Sequence, residues 1–141
     1  QLEAKGVPVV LLNRRPGIDH SLPWRFAKAL RRNQIDILHA HQYTPFFYSS
    51  LAKLYGAWSV KVIFTEHGRH YPDYVSWKRR LANRLLLSRL SCARTACCDF
   101  AARAAEVHEG FQPVETIPNG VDLANFPRRG NAAERHALRQ R

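Results

Sequence analysis

Short apolar runs alternate with longer helix-compatible stretches along this chain, and their spacing predicts five strands separated by helices. The first run, "VPVVLL" at Val7–Leu12, is continuous and follows Gly6, as in a buried strand. Ser21 and Pro23 then open a helix through "WRFAKALRRN", with Phe26, Ala27 and Leu30 on one side. "IDILHAH" is the second strand. Thr44 and Pro45 start the next helix, and Gly56 stands just past its end. "VKVIFT" is the third strand, a short β-branched and aromatic run. Ser76 caps a helix through "WKRRLANRLLLSRL", and "ARTACC" follows as the fourth strand. Asp99 caps a helix that runs to Gly110, and "VETI" is the last strand, ended by Pro118. Strand and helix alternate with short connections. That order predicts an α/β domain built on a doubly wound parallel sheet with helices on both faces.

Composition narrows the class. The 141 residues are 45% apolar and 23% charged, which suits one globular domain rather than a disordered chain. No apolar run approaches the ~18 residues needed to cross a bilayer, and the N-terminus lacks the layout of a signal peptide. A cytoplasmic protein is the expectation. The absence of Met, even at position 1, reads as an excerpt from a longer polypeptide. A net charge of +11 points either to a polyanionic partner or to a solvated basic face, in equal measure. No zinc finger, RNA-recognition motif or basic run interleaved with stacking aromatics is present, so no specific nucleic-acid partner is expected. Cys92, Cys97 and Cys98 include no Cys-x-x-Cys, and adjacent residues make a poor disulfide. Reduced thiols are expected.

Polar chemistry collects where strands end. In open parallel sheets, ligands bind beyond the carboxyl ends of the strands. Here the second strand exits at His39-Ala40-His41, the third at Thr65-Glu66-His67-Gly68, the fourth at Asp99 and the fifth at Asn119-Gly120. Period-two alternation sets Ile35, Ile37, His39 and His41 on one face. Just beyond the third strand, "FTEHGRHYPD" packs Glu66, His67, Arg69, His70, Tyr71 and Asp73 together. One reading is a metal site from His39, His41 and His67 with His70 or Asp73, although no His-Glu-x-x-His supports it. The other is a metal-free site in which imidazoles and loop amides hold a phosphate-bearing ligand. Gly68 would allow close backbone approach, helix N-termini at Thr44 and Asp99 would favour an anion, and Arg69 would add a fork-shaped donor. For His39 the plain alternative is a hydrogen-bonded histidine at a strand end.

Three stretches in this order, "DILHAHQ", "VIFTEHGRHYPD" and "VETIPNGVDLANF", resemble the pattern of glycosyltransferase family 4. "IPNGVD" with Phe126 four residues after Asp122 is the most specific piece, and it resembles the hinge between the family's two domains. The resemblance implies a Rossmann-like portion of a two-domain GT-B enzyme: residues 1–117 from the N-terminal acceptor-side domain, 118–122 the interdomain hinge, and 123–141 the start of the donor-binding domain. It also implies a retaining, metal-independent, hexosyltransferase-like transfer from a nucleotide-sugar to an acceptor (a glycan, a lipid-linked or a small molecule), with no cofactor beyond the donor itself. His67 carries over as the catalytic candidate. His39, His41, Glu66, Gly68 and Arg69 carry over as substrate-binding candidates, and Pro118, Asn119, Gly120 and Asp122 as hinge residues. The chain begins after the family's glycine-rich loop and stops before its paired glutamates, so the fragment is expected to be inactive alone and prone to associate through unpaired edges. Peripheral contact with an anionic membrane would use "WKRRLANRLLLSRL", with Trp77 as anchor. Lys78, Arg79 and Arg89 interrupt the apolar side of that helix, which favours the alternative of a helix packed on the sheet with exposed arginines. The readings from other classes are a non-catalytic phosphate- or polyanion-binding α/β domain and a His-rich metallohydrolase.

Overall fold

The computed structural model describes residues 3–68 and 76–122. After a single 3-10 turn at Glu3–Lys5, the order is α1 (Leu22–Arg32), β1 (Ile37–His41), α2 (Tyr43–Leu54) and β2 (Lys61–Glu66). A composite helix follows, in which α3 (Trp77–Ala82), a π turn (Asn83–Leu87) and α4 (Ser88–Leu90) run on without a break. β3 (Ser91–Ala96), α5 (Asp99–Val107) and β4 (Glu115–Thr116) complete it. The four strands form one parallel sheet in the order β1-β2-β3-β4. The parallel, Rossmann-like α/β sheet is the one that the alternation of elements predicts, but among the described residues the helices cover one face of it, not both.

Sequential strand order has a geometric consequence. Right-handed crossovers that always step in one direction return each helix to the same face of the sheet. The described helices accordingly gather over the face that carries Leu38, Ala40, Val62, Phe64 and Ala96. Phe46 from α2, Phe64 from β2 and Phe111 after α5 are fully buried there, with ring centroids 4.5–5.6 Å apart. Each contributes about 1.5–3 kcal/mol through burial, so this aromatic triad is the keystone of the main core. A second cluster joins Ala27 and Leu30 of α1 to Ala52, Ala57 and Val60. The opposite face carries Ile37, His39 and His41 of β1, Ile63 and Thr65 of β2, and Thr95 of β3. Ile37 there is 59% exposed.

The strand expected at Val7–Leu12 does not form. Those residues adopt no regular element, and Leu11 is 79% exposed. A continuous apolar run becomes a strand only beside a ladder partner, and Val7–Leu12 instead lies along α1. Pro8, Val10 and Leu12 share an apolar cavity of about 250 Å³ with Phe26, Ala29 and Leu30, and the Arg25 guanidinium donates to the Leu12 carbonyl.

Helix starts also differ in detail. Ser21 occupies the N-cap of α1 without capping it; the buried Asp19 carboxylate accepts from the Ser21 and Leu22 N–H groups at 3.0 and 3.2 Å and from the Ser21 hydroxyl at 2.7 Å. The Ser21 hydroxyl first, then backbone donors and the Arg25 charge, hold the Asp19 carboxyl far below the usual carboxylate range. α2 begins at Tyr43 with Gln42 as N-cap, and α5 begins at Asp99 with Cys98 as N-cap, so Thr44 and Asp99 stand inside their helices. Ser76 caps α3 as expected, accepting from the Arg79 N–H at 3.3 Å.

The composite helix is anchored by a buried polar clamp. Asn83 Nδ2 donates to both the carbonyl and Oε2 of Glu109, at 2.8 and 3.0 Å, and its Oδ1 accepts from the Tyr43 hydroxyl at 2.9 Å. Arg79 Nη2 closes on Glu109 Oε1 at 2.6 Å while its guanidinium stacks 3.7 Å from the Tyr43 ring centroid. Gly110 makes this approach possible. Its φ is +80°, and a Cβ there would meet the Arg80 carbonyl oxygen at 2.9 Å.

Candidate functional site

Parity along β1 sends Ile37, His39 and His41 to the face away from the helices, and register then decides what each histidine meets. His39 pairs with Ile63 and His41 with Thr65, which in turn pairs with Thr95. His39 Nε2 lies 2.6 Å from Thr65 Oγ1, and Thr65 Oγ1 lies 2.6 Å from Thr95 Oγ1. Thr95 Oγ1 donates onward to the Phe64 carbonyl at 3.3 Å. With that end fixed, Thr65 donates to Thr95 and accepts from His39, so neutral His39 carries its proton on Nε2.

The third histidine joins from the next exit. His67, one residue past β2, places Nε2 at 2.7 Å from His41 Nδ1, with the two rings stacked 4.9 Å apart. His39 and His41 are 4.1 Å apart. One proton must lie between Nδ1 of His41 and Nε2 of His67. When both rings are neutral, one remaining nitrogen is then a donor and the other an acceptor, whichever way the shared proton points. The pair can therefore present one N–H and one lone pair to a polar ligand. This is the outfit needed to grip a hydroxyl or a carbonyl.

His41 is the most perturbed of the three. Loss of water around its ring, followed by the positive forms of His39 and His67, holds its pKa below the usual 6.5. The unfolded chain therefore binds more protons than the folded one between that lowered value and 6.5. Stability from this group is fully present above pH 6.5 and is lost as pH falls through the folded value. Melting temperatures recorded from pH 8 to pH 5 should fall on the acid side, and His41→Gln should flatten that part of the profile; an unchanged slope in the variant would assign the acid loss to other groups.

Of the residues the sequence singles out, the structure brings His39, His41 and His67 into one row. It places Glu66 differently. The Glu66 side chain is 1% exposed, on the helix-covered face, and its Oε1 accepts from the Gly68 N–H at 3.1 Å. Gly68 takes φ +89°, with open space where a side chain would stand, so the chain turns sharply just after His67. Arg69, His70, Tyr71 and Asp73 lie outside the described residues, as do residues 123–141. Pro118, Asn119, Gly120 and Asp122 follow β4 in an exposed segment without regular structure. The threonine chain through Thr95 is the element that reading by motif misses. A same-parity threonine in the neighbouring strand was the available signal, but its use requires knowledge of the register.

Among the described residues, no group of three or more His, Cys, Asp or Glu side chains is arranged to hold a metal ion. The facing nitrogens of His41 and His67 are directed at each other, and His39 is directed at Thr65. Among the described residues, no helix is long and apolar enough to cross a membrane.

Comparison with known proteins meets this geometry from the other side. The profile of Glycosyltransferase Family 4 matches residues 2–125. The crystal structure of a glycosyltransferase from Rickettsia africae ESF-5 superposes with a TM-score of 0.73 at 14% sequence identity, covering 97% of this chain and 36% of that one. At that identity the likeness is one of fold, and the present chain spans little more than a third of the length of that protein. No curated protein sequence gives a significant match. The matched profile spans the strands, the histidine row and the exposed segment after β4, and the chain belongs to glycosyltransferase family 4.

Proposed function

We propose that this chain supplies the acceptor side of a retaining, metal-independent glycosyltransferase, which moves a sugar from a nucleotide-sugar donor to a glycan, lipid-linked or small-molecule acceptor. The observation that carries the reading is the His41–His67 bond, which holds an accessible imidazole pair beyond the carboxyl ends of two neighbouring parallel strands. In this reading His67 contacts the reacting sugar. His41 fixes the ring plane of His67, and His39, through Thr65 and Thr95, limits how far His41 can rotate. Buried Glu66 shapes the turn at Gly68 rather than touching substrate, and Arg69 is reserved for the donor or acceptor phosphate. Residues 118–122 serve as the hinge to a donor-binding domain that starts at residue 123. The test is a transfer assay on the enzyme that contains this domain. It compares wild type with His67→Ala, with chelator present throughout, and reads the anomeric configuration of the product by NMR.

The membrane reading has an observation of its own. Trp77, Leu81 and Leu85 on the composite helix are 71%, 47% and 51% exposed, and Lys78, Arg80, Arg84 and Arg89 around them are exposed as well. An apolar stripe flanked by cations fits the inner surface of an anionic membrane, with the enzyme otherwise cytoplasmic. The protein should sediment with anionic liposomes at low salt and be released at high salt; failure to bind at low salt removes the membrane from the proposal.

A further inference from the structure

Beyond His41 the chain turns into α2 and opens a cavity at the end of β1 that carries the histidine row. Gln42 continues the ladder, its N–H donating to the Thr65 carbonyl at 2.9 Å, and its φ of +74° then swings the backbone into the helix. Tyr43, Thr44, Phe47 and Tyr48 of α2 form one wall of the cavity, and Arg14, Gly17 and Ile18 of the segment ahead of α1 form the other. Its volume is about 290 Å³. That is the small end of the ~300–1,000 Å³ usual for ligand pockets, and it suits a ligand of one ring.

The polar lining consists mainly of donors. Arg14 Nη1 donates to the Gly17 carbonyl at 2.7 Å, which fixes the guanidinium on its wall, and its other N–H groups have no partner among the described residues. Tyr48 is 4% exposed, and its hydroxyl accepts from the Asp19 N–H at 2.9 Å, which sets Oη against the wall that Gly17 and Ile18 build. The Tyr48 proton has no acceptor among the described residues, because the Asp19 carboxylate already receives Arg15, Ser21, Leu22 and Arg25. A buried donor without an acceptor is costly unless a ligand supplies one. Thr44 adds its hydroxyl and an N–H at the start of α2, where Gln42 makes no side-chain cap bond. No carboxylate lines the cavity, and Ile18 and Phe47 form its apolar part.

We propose that this cavity binds a sugar phosphate, with the ring against Phe47 and Ile18 and the phosphate held by Arg14, Thr44 and Tyr48. Donors that lack acceptors select an anion, and charge-assisted bonds from a guanidinium to phosphate are among the strong ones. Donors on both walls suit the three terminal oxygens of a phosphomonoester better than the two of a diester. The positive end of the 12-residue helix α2 adds to the preference for an anion. That the bound sugar phosphate is the acceptor rests on the glycosyltransferase reading; that the cavity binds it does not.

Isothermal titration calorimetry on the enzyme that contains this domain, with no sugar donor present, tests the site with glucose 6-phosphate, glucose and inorganic phosphate as probes. Glucose 6-phosphate should bind at least about tenfold more tightly than either of the others, because only it fills both halves of the cavity. Arg14→Gln and Tyr48→Phe should each weaken it at least about tenfold, through lost bonds to the charged group. Arg103→Gln, at an exposed arginine of α5, removes the same charge and should leave Kd unchanged. No binding of glucose 6-phosphate overturns the proposal, as does equal binding of glucose or of inorganic phosphate. Unchanged affinity in Arg14→Gln, or an equal loss in Arg103→Gln, overturns it too. Arg14 is exposed, so that variant decides the matter even if Tyr48→Phe folds poorly. Binding without a donor needs no turnover, so a failure here is told apart from a failure of transfer.

Discussion

Replacing His67 by alanine in the enzyme that contains this domain should lower kcat/KM for sugar transfer at least about a hundredfold, the usual cost of removing a positioned polar group from a reacting centre. Stability should hardly change, because the His67 side chain is exposed and packs into neither hydrophobic cluster. The two measurements together make the test sharp. A large loss of transfer with an unchanged melting temperature assigns the effect to the reaction. Near-normal transfer removes His67 from the site. His41→Ala should cost less than His67→Ala, since in this reading His41 positions its neighbour and does not touch the sugar. If His41→Ala proves the more damaging of the two, the roles are reversed.

The largest expected effect on folding lies elsewhere, at Asn83. Its side chain is 0% exposed and makes three hydrogen bonds, two to Glu109 and one with Tyr43. Truncation to alanine leaves the Glu109 carboxylate, itself 1% exposed, with a lost donor, and takes the acceptor from the Tyr43 hydroxyl. A buried network broken on one side typically loses about 3 kcal/mol, because the remaining groups stay desolvated after losing a hydrogen bond. For a chain of this length that corresponds to roughly 10 °C in Tm. Chemical denaturation of Asn83→Ala against wild type measures it directly. A loss under about 1 kcal/mol would mean that the clamp relaxes to reach water, as surface-like pairs do.

How far the sequence foretells this molecule varies by element, and the reasons are physical. His39 and His41 could be assigned to one face from parity alone, because parity is a property of the strand itself. The bond between His41 and His67 spans 26 residues and exists only because β1 and β2 pair in one particular register, which no local pattern contains. The clamp was hidden for a related reason. A reading at 3.6 residues per turn groups Arg80, Arg84, Ser88 and Ser91 as one polar edge, whereas the π turn at Asn83–Leu87 shifts the phase. Asn83 then turns inward to Glu109 and Leu87 to the core. At α1 local preference points to Ser21 as the cap, whereas the stronger acceptor, the Asp19 carboxylate two residues upstream, takes the role. At Val7–Leu12 intrinsic preference pointed to a strand, but pairing requires a neighbour that the described residues do not provide.

The ladder between β1 and β2 works as the gauge of the histidine row. The three imidazoles do not ride on one rigid element; His39 and His41 belong to one strand, and His67 leaves the next. A slip of one residue between those strands would carry His67 about 3.3 Å along its neighbour and exchange the faces, against a bond length of 2.7 Å. The tolerance of the site is therefore set by five consecutive backbone pairings, from Ile37 with Lys61 to His41 with Thr65.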